Sequence, residues 1–220
     1  PTRRSSDLDK HNSQVDNFNR IYLRGSEIFM AIIMPYQGKT PQIADEVFVA
    51  PNACVVGDVK IGEGSSIWFG ASVRGDFQPV RIGKYTNVQD NATVHVMGDT
   101  PTEIGDHVTI GHNALVHCRR IGDNCLIGMG SIILGYVEIG ENCIIGAGTL
   151  LTQRKKIPNN CIVFGNPAKI MRSVRDDEIE ALYASSMSYN AVSKTYQEES
   201  ARWLKEVDER FLRLTMAMRR

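Results

Sequence analysis

Two histidines of this 220-residue sequence occupy equivalent places in a short repeat, and imidazole nitrogens are common metal ligands. His95 directly follows Val94, and His117 directly follows Val116. When the segment 96–103 is set aside as a loop, the two valines fall into the same phase of a six-residue repeat. We therefore expect both histidines on the same face of adjacent coils, with backbones ~4.8 Å apart. That spacing lets both rings reach one ion with metal–nitrogen bonds of ~2.0–2.1 Å.

A third histidine, His112, lies two places after Ile110, on the preceding face of the coil that carries His117. In a triangular coil that face is turned away from His95 and His117, so one chain does not readily close a three-histidine site. Around a threefold axis, each interface joins a face with two histidines to a face with one, which predicts a homotrimer. Three histidine ligands with an open fourth position are typical of a catalytic zinc site rather than a structural one.

The elements that must position these residues are hexapeptides. Aliphatic residues recur every six residues, which indicates a solenoid and fits neither an amphipathic helix nor a simple alternating strand. We expect three hexapeptides to form one triangular coil, with the aliphatic residues pointing inward. A glycine often follows the aliphatic residue, and we expect it to provide the positive φ of the corner. The predicted inward residues are Ile43, Val49, Val55, Ile61, Ile67, Val73, Ile82, Val88, Val94, Ile104, Ile110, Val116, Ile121, Ile127, Ile133, Ile139, Ile145, Leu151, Ile157 and Val163.

The chain divides into three parts by composition. Residues 1–34 are predicted to be a leader, either disordered or foreign to the fold, and residues 35–172 the solenoid. Residues 173–220 are predicted to be helical, because the acidic residues 176–178 suit a helix N-terminus and an apolar stripe follows at helical spacing. The stripe packs either on the outside of the coils or on a neighbour, and the docking of residues 201–220 stays open. The stripe comprises Ile179, Leu182, Tyr183, Tyr189, Val192 and Tyr196.

Charge and composition exclude several classes of partner. The formal net charge is zero and no long basic run occurs, so we expect no nucleic-acid partner. No apolar run approaches the ~18–20 residues of a membrane span, so we expect no membrane association. The five cysteines form no CxxC pair, which argues against a disulfide framework and favours a reducing compartment such as the cytoplasm.

Four polar residues stand beside inward valines near the histidines. Arg74 and Asp76 follow Val73, while Gln89 and Asp90 follow Val88. Arg74 is suited to a bidentate pair with a carboxylate, such as Asp76 or Asp90 of a neighbour, and Gln89 to orienting water or substrate. The simpler interpretation is that these groups only fasten the trimer, and the two roles are compatible.

These segments resemble the γ-class carbonic anhydrase family, and in particular its shorter bacterial members. The resemblance covers about residues 35–180 and implies an all-β solenoid, a left-handed parallel β-helix with a C-terminal α-helix. The repeat alone leaves the hand open, because crossovers in general favour the right-handed form. The family's motifs are matched by Arg74-Gly-Asp76, Asn87-Val-Gln-Asp90, Thr93-Val-His95, Ile110-Gly-His112-Asn-Ala-Leu-Val-His117 and Gly165-Asn-Pro-Ala-Lys169.

The resemblance implies that His95, His112 and His117 are the metal ligands and that Arg74, Asp76, Gln89 and Asp90 form the active-site network. The chain departs from the archaeal members at the acidic loop that carries their proton-shuttle glutamate, where only Asp99 and Glu103 are available here. It also has Phe77 and Phe164 in the regions of a second glutamate and of a tyrosine.

The expected activity is hydration of CO2 to bicarbonate by a metal-bound hydroxide at the trimer interfaces. Zinc is the expected ion, although three neutral imidazoles also suit Fe(II) or Co(II). Two alternatives stay open: a CoA-thioester hydrolase or acyltransferase on the same scaffold, and a metal-binding structural subunit with little activity.

Overall fold

The computed structural model describes residues 31–217, and in the last helix it describes side chains as far as residue 206, except that of residue 204. Residues 31–200 form one compact unit, whereas residues 201–217 belong to a second unit. The leader was predicted to span residues 1–34. Its residues 1–30 lie outside the described residues, whereas Ile32–Met34 form the first strand.

Short parallel strands dominate the chain. In chain order the strands are β1 Ile32–Met34, β2 Gln42–Ile43, β3 Phe48–Val49, β4 Cys54–Ile61, β5 Ser66–Ile67, β6 Ser72–Ile82, β7 Asn87–Val88, β8 Thr93–His95, β9 Thr102–Ile104, β10 Thr109–Ile110, β11 Leu115–Val116, β12 Arg120–Ile121, β13 Leu126–Ile127, β14 Ile132–Ile133, β15 Glu138–Ile139, β16 Ile144–Ile145, β17 Leu150–Leu151, β18 Lys156–Ile157, β19 Cys161–Gly165 and β20 Ala168–Ser173. The helix α1 spans Asp176–Ala217.

The strands stack on three faces of a triangular prism. The first face contains β8, β11, β14 and β17 above the first halves of β4 and β6. The second face contains β9, β12, β15 and β18 above the second halves of β4 and β6. The third face contains β3, β5, β7, β10, β13, β16 and β19. Among the described strands these pairings are parallel, and only β19 and β20 pair antiparallel. The predicted left-handed parallel β-helix with a C-terminal helix is confirmed.

The predicted inward residues form the core. Every one from Val49 to Val163 is buried, and Ile43, in the first coil, is partly buried. Each coil thus covers the apolar side chains of its neighbours, at ~1.5–3 kcal/mol for each fully buried aliphatic side chain. The histidines are carried on the outside of this dry core.

The expectation that the glycines directly after the inward residues supply a positive φ is wrong. Gly111 and Gly128, which directly follow inward residues, are not among the residues with positive φ. Their role is close packing, because a Cβ on Gly111 would lie 2.8 Å from the backbone nitrogen of Met129 in the next coil. Positive φ occurs three places after the inward residue, for example at Asn113 (59°) and Asn124 (53°). Asparagine tolerates this conformation better than most residues.

Side-chain hydrogen bonds at the corners also link successive coils. Ser131 donates its hydroxyl to the carbonyl oxygen of Gly146 in the following coil (3.0 Å), and the Cys143 thiol does the same to Pro158 (3.1 Å). Thr149 occupies the equivalent position, but its buried hydroxyl has no hydrogen-bond partner within the described part of the chain. At that level the parallel stacking ends, because β19 pairs parallel with β16 on one edge and antiparallel with β20 on the other.

The helix α1 begins with Asp176, Asp177 and Glu178, as predicted. Glu178 pairs with the guanidinium of Arg172 at 2.7 Å and accepts the backbone N–H of Arg175 at 2.9 Å. These contacts supply the acceptor that the first turn of a helix needs. No helix within residues 31–217 is long and apolar enough to cross a membrane.

The helix packs on its own coils, but with a more polar face than the predicted stripe. Tyr183 and Val192 of that stripe are about half exposed, at 50% and 45%. Ser186, Asn190 and Ser193 are buried instead. Asn190 donates its amide to the Gly64 carbonyl (2.9 Å), so the docking depends on hydrogen bonds to the corners.

Candidate metal centre

His95 and His117 lie one above the other on the first face. Strands β8 and β11 pair with Val94 opposite Val116, which places the two following histidines in register. Their ring centroids are 5.3 Å apart, with the ring planes at 44°. Arg74 lies in the preceding coil, and the strand register places it opposite His95. The three residues therefore form one column on the outer surface. The predicted alignment of these two histidines on adjacent coils is confirmed.

Asp76 holds the lower end of this column. Its carboxylate pairs with Arg74 and lies 2.9 Å from Nε2 of His95, and it accepts the backbone N–H of Phe77 at 2.9 Å. Burial alone would raise the pKa of Asp76, but the hydrogen bonds from His95 and Phe77 and the charge of Arg74 lower it. Asp76 is therefore an anion that orients the His95 ring, as carboxylates do beside metal-ligating histidines.

His117 is a neutral imidazole at neutral pH. Its pKa is lowered from the ordinary value because burial disfavours the cation and because His95 is close. Hydrogen bonding to the carbonyl oxygens of Val96 and of His117 itself opposes this shift but does not reverse it. Metal ions bind the neutral ring, so the environment of His117 favours the form that can be a ligand.

His112 lies on another corner, at the end of the third face. It forms a column with Phe69 and Asp90, because each follows its inward residue by two places. His112 Nδ1 is 2.9 Å from Asp90 Oδ2, and both side chains are about one-third exposed. Within the described residues of a single chain, no group of three His, Cys, Asp or Glu side chains can hold a metal ion. The chain thus presents two histidines on one surface and one on another.

Gln89 is buried beneath the helix, away from His95 and His117. Its amide donates to Asn87 Oδ1 at 3.1 Å, while its Oε1 is buried without a partner in the described region. Tyr189 of the helix lies beside it: burial and the Asp90 charge raise the pKa of Tyr189, and a hydrogen bond with Gln89 opposes the rise. Among the four polar residues singled out, the structure joins Arg74 and Asp76 to His95, and places Gln89 and Asp90 near His112.

The structure adds an aromatic cavity beside His112 that sequence reasoning missed. Its volume is about 430 Å³, and Asp90 and His112 form one side of it. The helical stripe did signal that Tyr189 and Tyr196 pack on something, but the sequence does not say which coils the helix meets. The other lining residues are Trp68, Phe69, Ser188, Tyr189, Val192 and Tyr196.

Comparison with known proteins reveals similarity over most of the chain. A family model described as bacterial transferase hexapeptide (six repeats) matches residues 40–75 and 120–153. A carbonic anhydrase from Geobacillus kaustophilus is 46% identical over 166 residues, which cover 76% of this chain and 91% of the relative. The mitochondrial gamma carbonic anhydrase 1 of Arabidopsis thaliana is 40% identical over 188 residues, covering 82% and 68%. The crystal structure of a hexapeptide transferase family protein from Anaplasma phagocytophilum superposes with a TM-score of 0.72 at 39% identity, covering 75% and 98%.

Proposed function

The chain belongs to the γ-class carbonic anhydrase family, and we propose that it hydrates CO2 to bicarbonate at metal centres shared between the subunits of a homotrimer. The observation that carries the proposal is the division of the histidines. His95 and His117 form a pair with ring centroids 5.3 Å apart, whereas His112 stands on a different corner of the prism. A second copy is needed to bring the third ring to the pair.

The donor set fits a catalytic divalent ion. Three imidazoles leave an open coordination position, and the carboxylates of Asp76 and Asp90 each orient one ring. An ion held by His95, His117 and a neighbouring copy's His112 would lower the pKa of bound water to about 7 and would so supply the nucleophile at neutral pH. Zinc is the proposed ion, with Fe(II) or Co(II) as alternatives that the same ligands suit.

The coil register supports a threefold arrangement. His112 and His117 follow inward residues of the same coil, as do Phe69 and Phe77. If the threefold axis runs parallel to the prism, equal coils of neighbouring subunits stand at equal height. The threefold rotation that brings His112 to the partner's His95 and His117 then acts on every coil equally. It therefore also brings the aromatic cavity, at the height of Phe69, opposite the partner's Phe77. In the single chain Phe77 is 66% exposed.

The surface around the histidine pair is suited to burial. Leu115 and Ile132 neighbour His117 on the first face and are 38% and 42% exposed. Met129, at the corner above His112, is 58% exposed. Covering such side chains with a second subunit contributes roughly 25 cal/mol for each Å² of apolar surface removed from water. Apolar walls also suit CO2, which carries no charge.

The remaining polar residues have proposed roles in holding and orienting. Arg74 and Asp76 fix the His95 ring, and Asp90 fixes that of His112. The role proposed for Gln89 is to orient the attacking water, using the amide that bonds Asn87 and the Oε1 atom that has no partner. Because the five cysteines are free thiols, which suits a reducing compartment, we propose a cytoplasmic location.

One observation favours a second candidate. The cavity of about 430 Å³ beside His112 exceeds what CO2 requires and has aromatic walls. Such a cavity suits the acyl group of a CoA thioester, so hydrolase or acyltransferase activity remains the alternative. The discriminating assay follows thiol release from acyl-CoA alongside stopped-flow CO2 hydration by the same metal-loaded sample. Full metal content with neither activity would favour the structural subunit instead.

A mixing experiment tests the shared site. His112→Ala and His117→Ala subunits should each form trimers that retain little metal. When the two are unfolded, mixed equally and refolded together, about a quarter of the interfaces pair an intact corner with an intact face, and should regain metal and activity. His107→Ala is the matched control, because His107 bonds Ser186 on another corner and should keep full metal content. If mixed trimers regain nothing, the ligands do not come from two subunits.

A further inference from the structure

The loop that follows His95, residues 96–101, is tied at both ends to the strands of the histidine pair. Val96 and Met97 are buried directly after His95. At the far end, the buried hydroxyl of Thr102 lies 3.1 Å from the carbonyl oxygen of His95 and 2.7 Å from that of Cys118, the residue after His117. A displacement of this loop is therefore passed to both histidines through the backbone.

Tyr136, at a corner above the loop, makes hydrogen bonds to two residues in its middle. Its hydroxyl donates to the carboxylate of Asp99, at 2.9 Å from Oδ1 and 3.0 Å from Oδ2. Its backbone N–H donates to Sδ of Met97 at 3.0 Å. The guanidinium of Arg154 lies over the tyrosine ring, 4.4 Å from its centre, and makes a cation–π contact with it. Tyr136 thus contacts an exposed residue of the loop with its side chain and a buried residue with its backbone.

We propose that Tyr136 is a positioning residue for the metal centre, because its grip on Met97 and Asp99 fixes the loop that connects His95 to Thr102. The inference rests on the proposed function, since it takes His95 and His117 as metal ligands. Groups behind metal ligands act by fixing ring orientation, and removing one that contacts a ligand directly lowers metal affinity by about 10–100-fold. Tyr136 contacts the loop and not a ligand ring. We therefore expect its loss to lower metal affinity by about 10-fold, the lower end of that range.

The test is the affinity of the trimer for Co(II), titrated against a competing chelator and followed by the visible absorption of the bound ion. Tyr136→Phe removes the hydroxyl but keeps the ring over Arg154 and the backbone N–H. We expect Co(II) affinity to fall about 10-fold and the absorption spectrum to change, while the urea midpoint of the trimer stays the same. Asp99→Asn, which keeps an acceptor for the hydroxyl, should bind within about threefold of the wild type.

Tyr85→Phe is the matched control. Like Tyr136 (φ 59°), Tyr85 has positive φ (52°) at a corner, but its ring stacks on His107 and not on this loop. Co(II) affinity of Tyr136→Phe equal to that of the wild type, or an equal loss in Tyr85→Phe, would overturn the positioning role. If the wild-type trimer binds no Co(II), the proposed function fails and this inference with it. If the wild type binds Co(II) and Tyr136→Phe binds it equally well, this inference alone fails and the proposed function stands.

Discussion

Thr102 and Thr149 offer a direct measurement of what one buried hydroxyl contributes to this solenoid. Both residues are fully buried. The single hydroxyl proton of Thr102 lies between two carbonyl oxygens, that of Cys118 at 2.7 Å and that of His95 at 3.1 Å, whereas the Thr149 hydroxyl has no partner within the described residues. Replacing each by valine removes the hydroxyl and nearly conserves the volume, so the two variants differ mainly in the hydrogen bonds lost.

The expected effects have opposite signs. Thr102→Val removes the one hydroxyl proton that these two carbonyl oxygens share and should lower the free energy of unfolding by about 1–3 kcal/mol. Thr149→Val removes a buried polar group that gains nothing from the fold, and should be neutral or raise the free energy by up to about 1 kcal/mol. The expected gap between the variants is therefore about 1–4 kcal/mol, with a central value of about 2.5 kcal/mol. At a urea dependence of about 2–3 kcal/mol per molar, the midpoints should separate by about 1 M.

The assay is urea unfolding followed by circular dichroism, at one protein concentration because the stability of an oligomer depends on it. Thr102→Ser keeps the hydroxyl and should recover most of the loss. The reasoning is refuted if the two valine variants have the same midpoint, or if Thr149→Val is the less stable of the two.

Three further outcomes are expected. His117→Ala should lose its metal while the circular dichroism of the solenoid is unchanged, since the core does not use that side chain; full metal content in the variant would exclude His117 as a ligand. The pKa of Glu178 is lowered from 4.5 to about 2, chiefly by its pair with Arg172. A lowered carboxyl pKa stabilises the fold above the unfolded value, so Glu178→Gln should melt lower than the wild type at pH 7, and the difference should shrink as the pH falls from 4.5 towards 2. A pH-independent difference would contradict this assignment. Ile127→Ala should lower the free energy of unfolding by about 2–5 kcal/mol because Ile127 is fully buried; a loss below about 1 kcal/mol in urea unfolding would mean that the core closes around the cavity.

The sequence predicted the fold well because the repeat is local and strict. Burial of an inward residue such as Val94 depends only on its place in the hexapeptide, and the alignment of His95 with His117 follows from that place. The role of the glycines was misjudged because the six-residue period does not say where φ changes sign. Only the stacked backbones reveal that a side chain at Gly111 would meet the next coil.

The candidate site was less predictable where it depends on contacts between distant parts of the chain. No repeat relates Tyr189 to Gln89, and the helix meets the coils through Asn190 and Ser186, residues that carry no hydrophobic signal. The contact between Tyr136 and Asp99 joins residues 37 positions apart. Such contacts depend on the directions of side chains at the corners. The pattern of aliphatic residues does not determine these directions.

The antiparallel strand β20 has a consequence for how this architecture can change in length. A parallel strand offers evenly spaced backbone donors and acceptors to the next coil, whereas β20 presents the alternating pattern of a reversed chain. An additional coil would meet a mismatched edge there, and the same mismatch discourages end-to-end polymerisation of folded molecules. Insertions or deletions of whole coils are therefore expected between β3 and β18, upstream of this terminal hairpin.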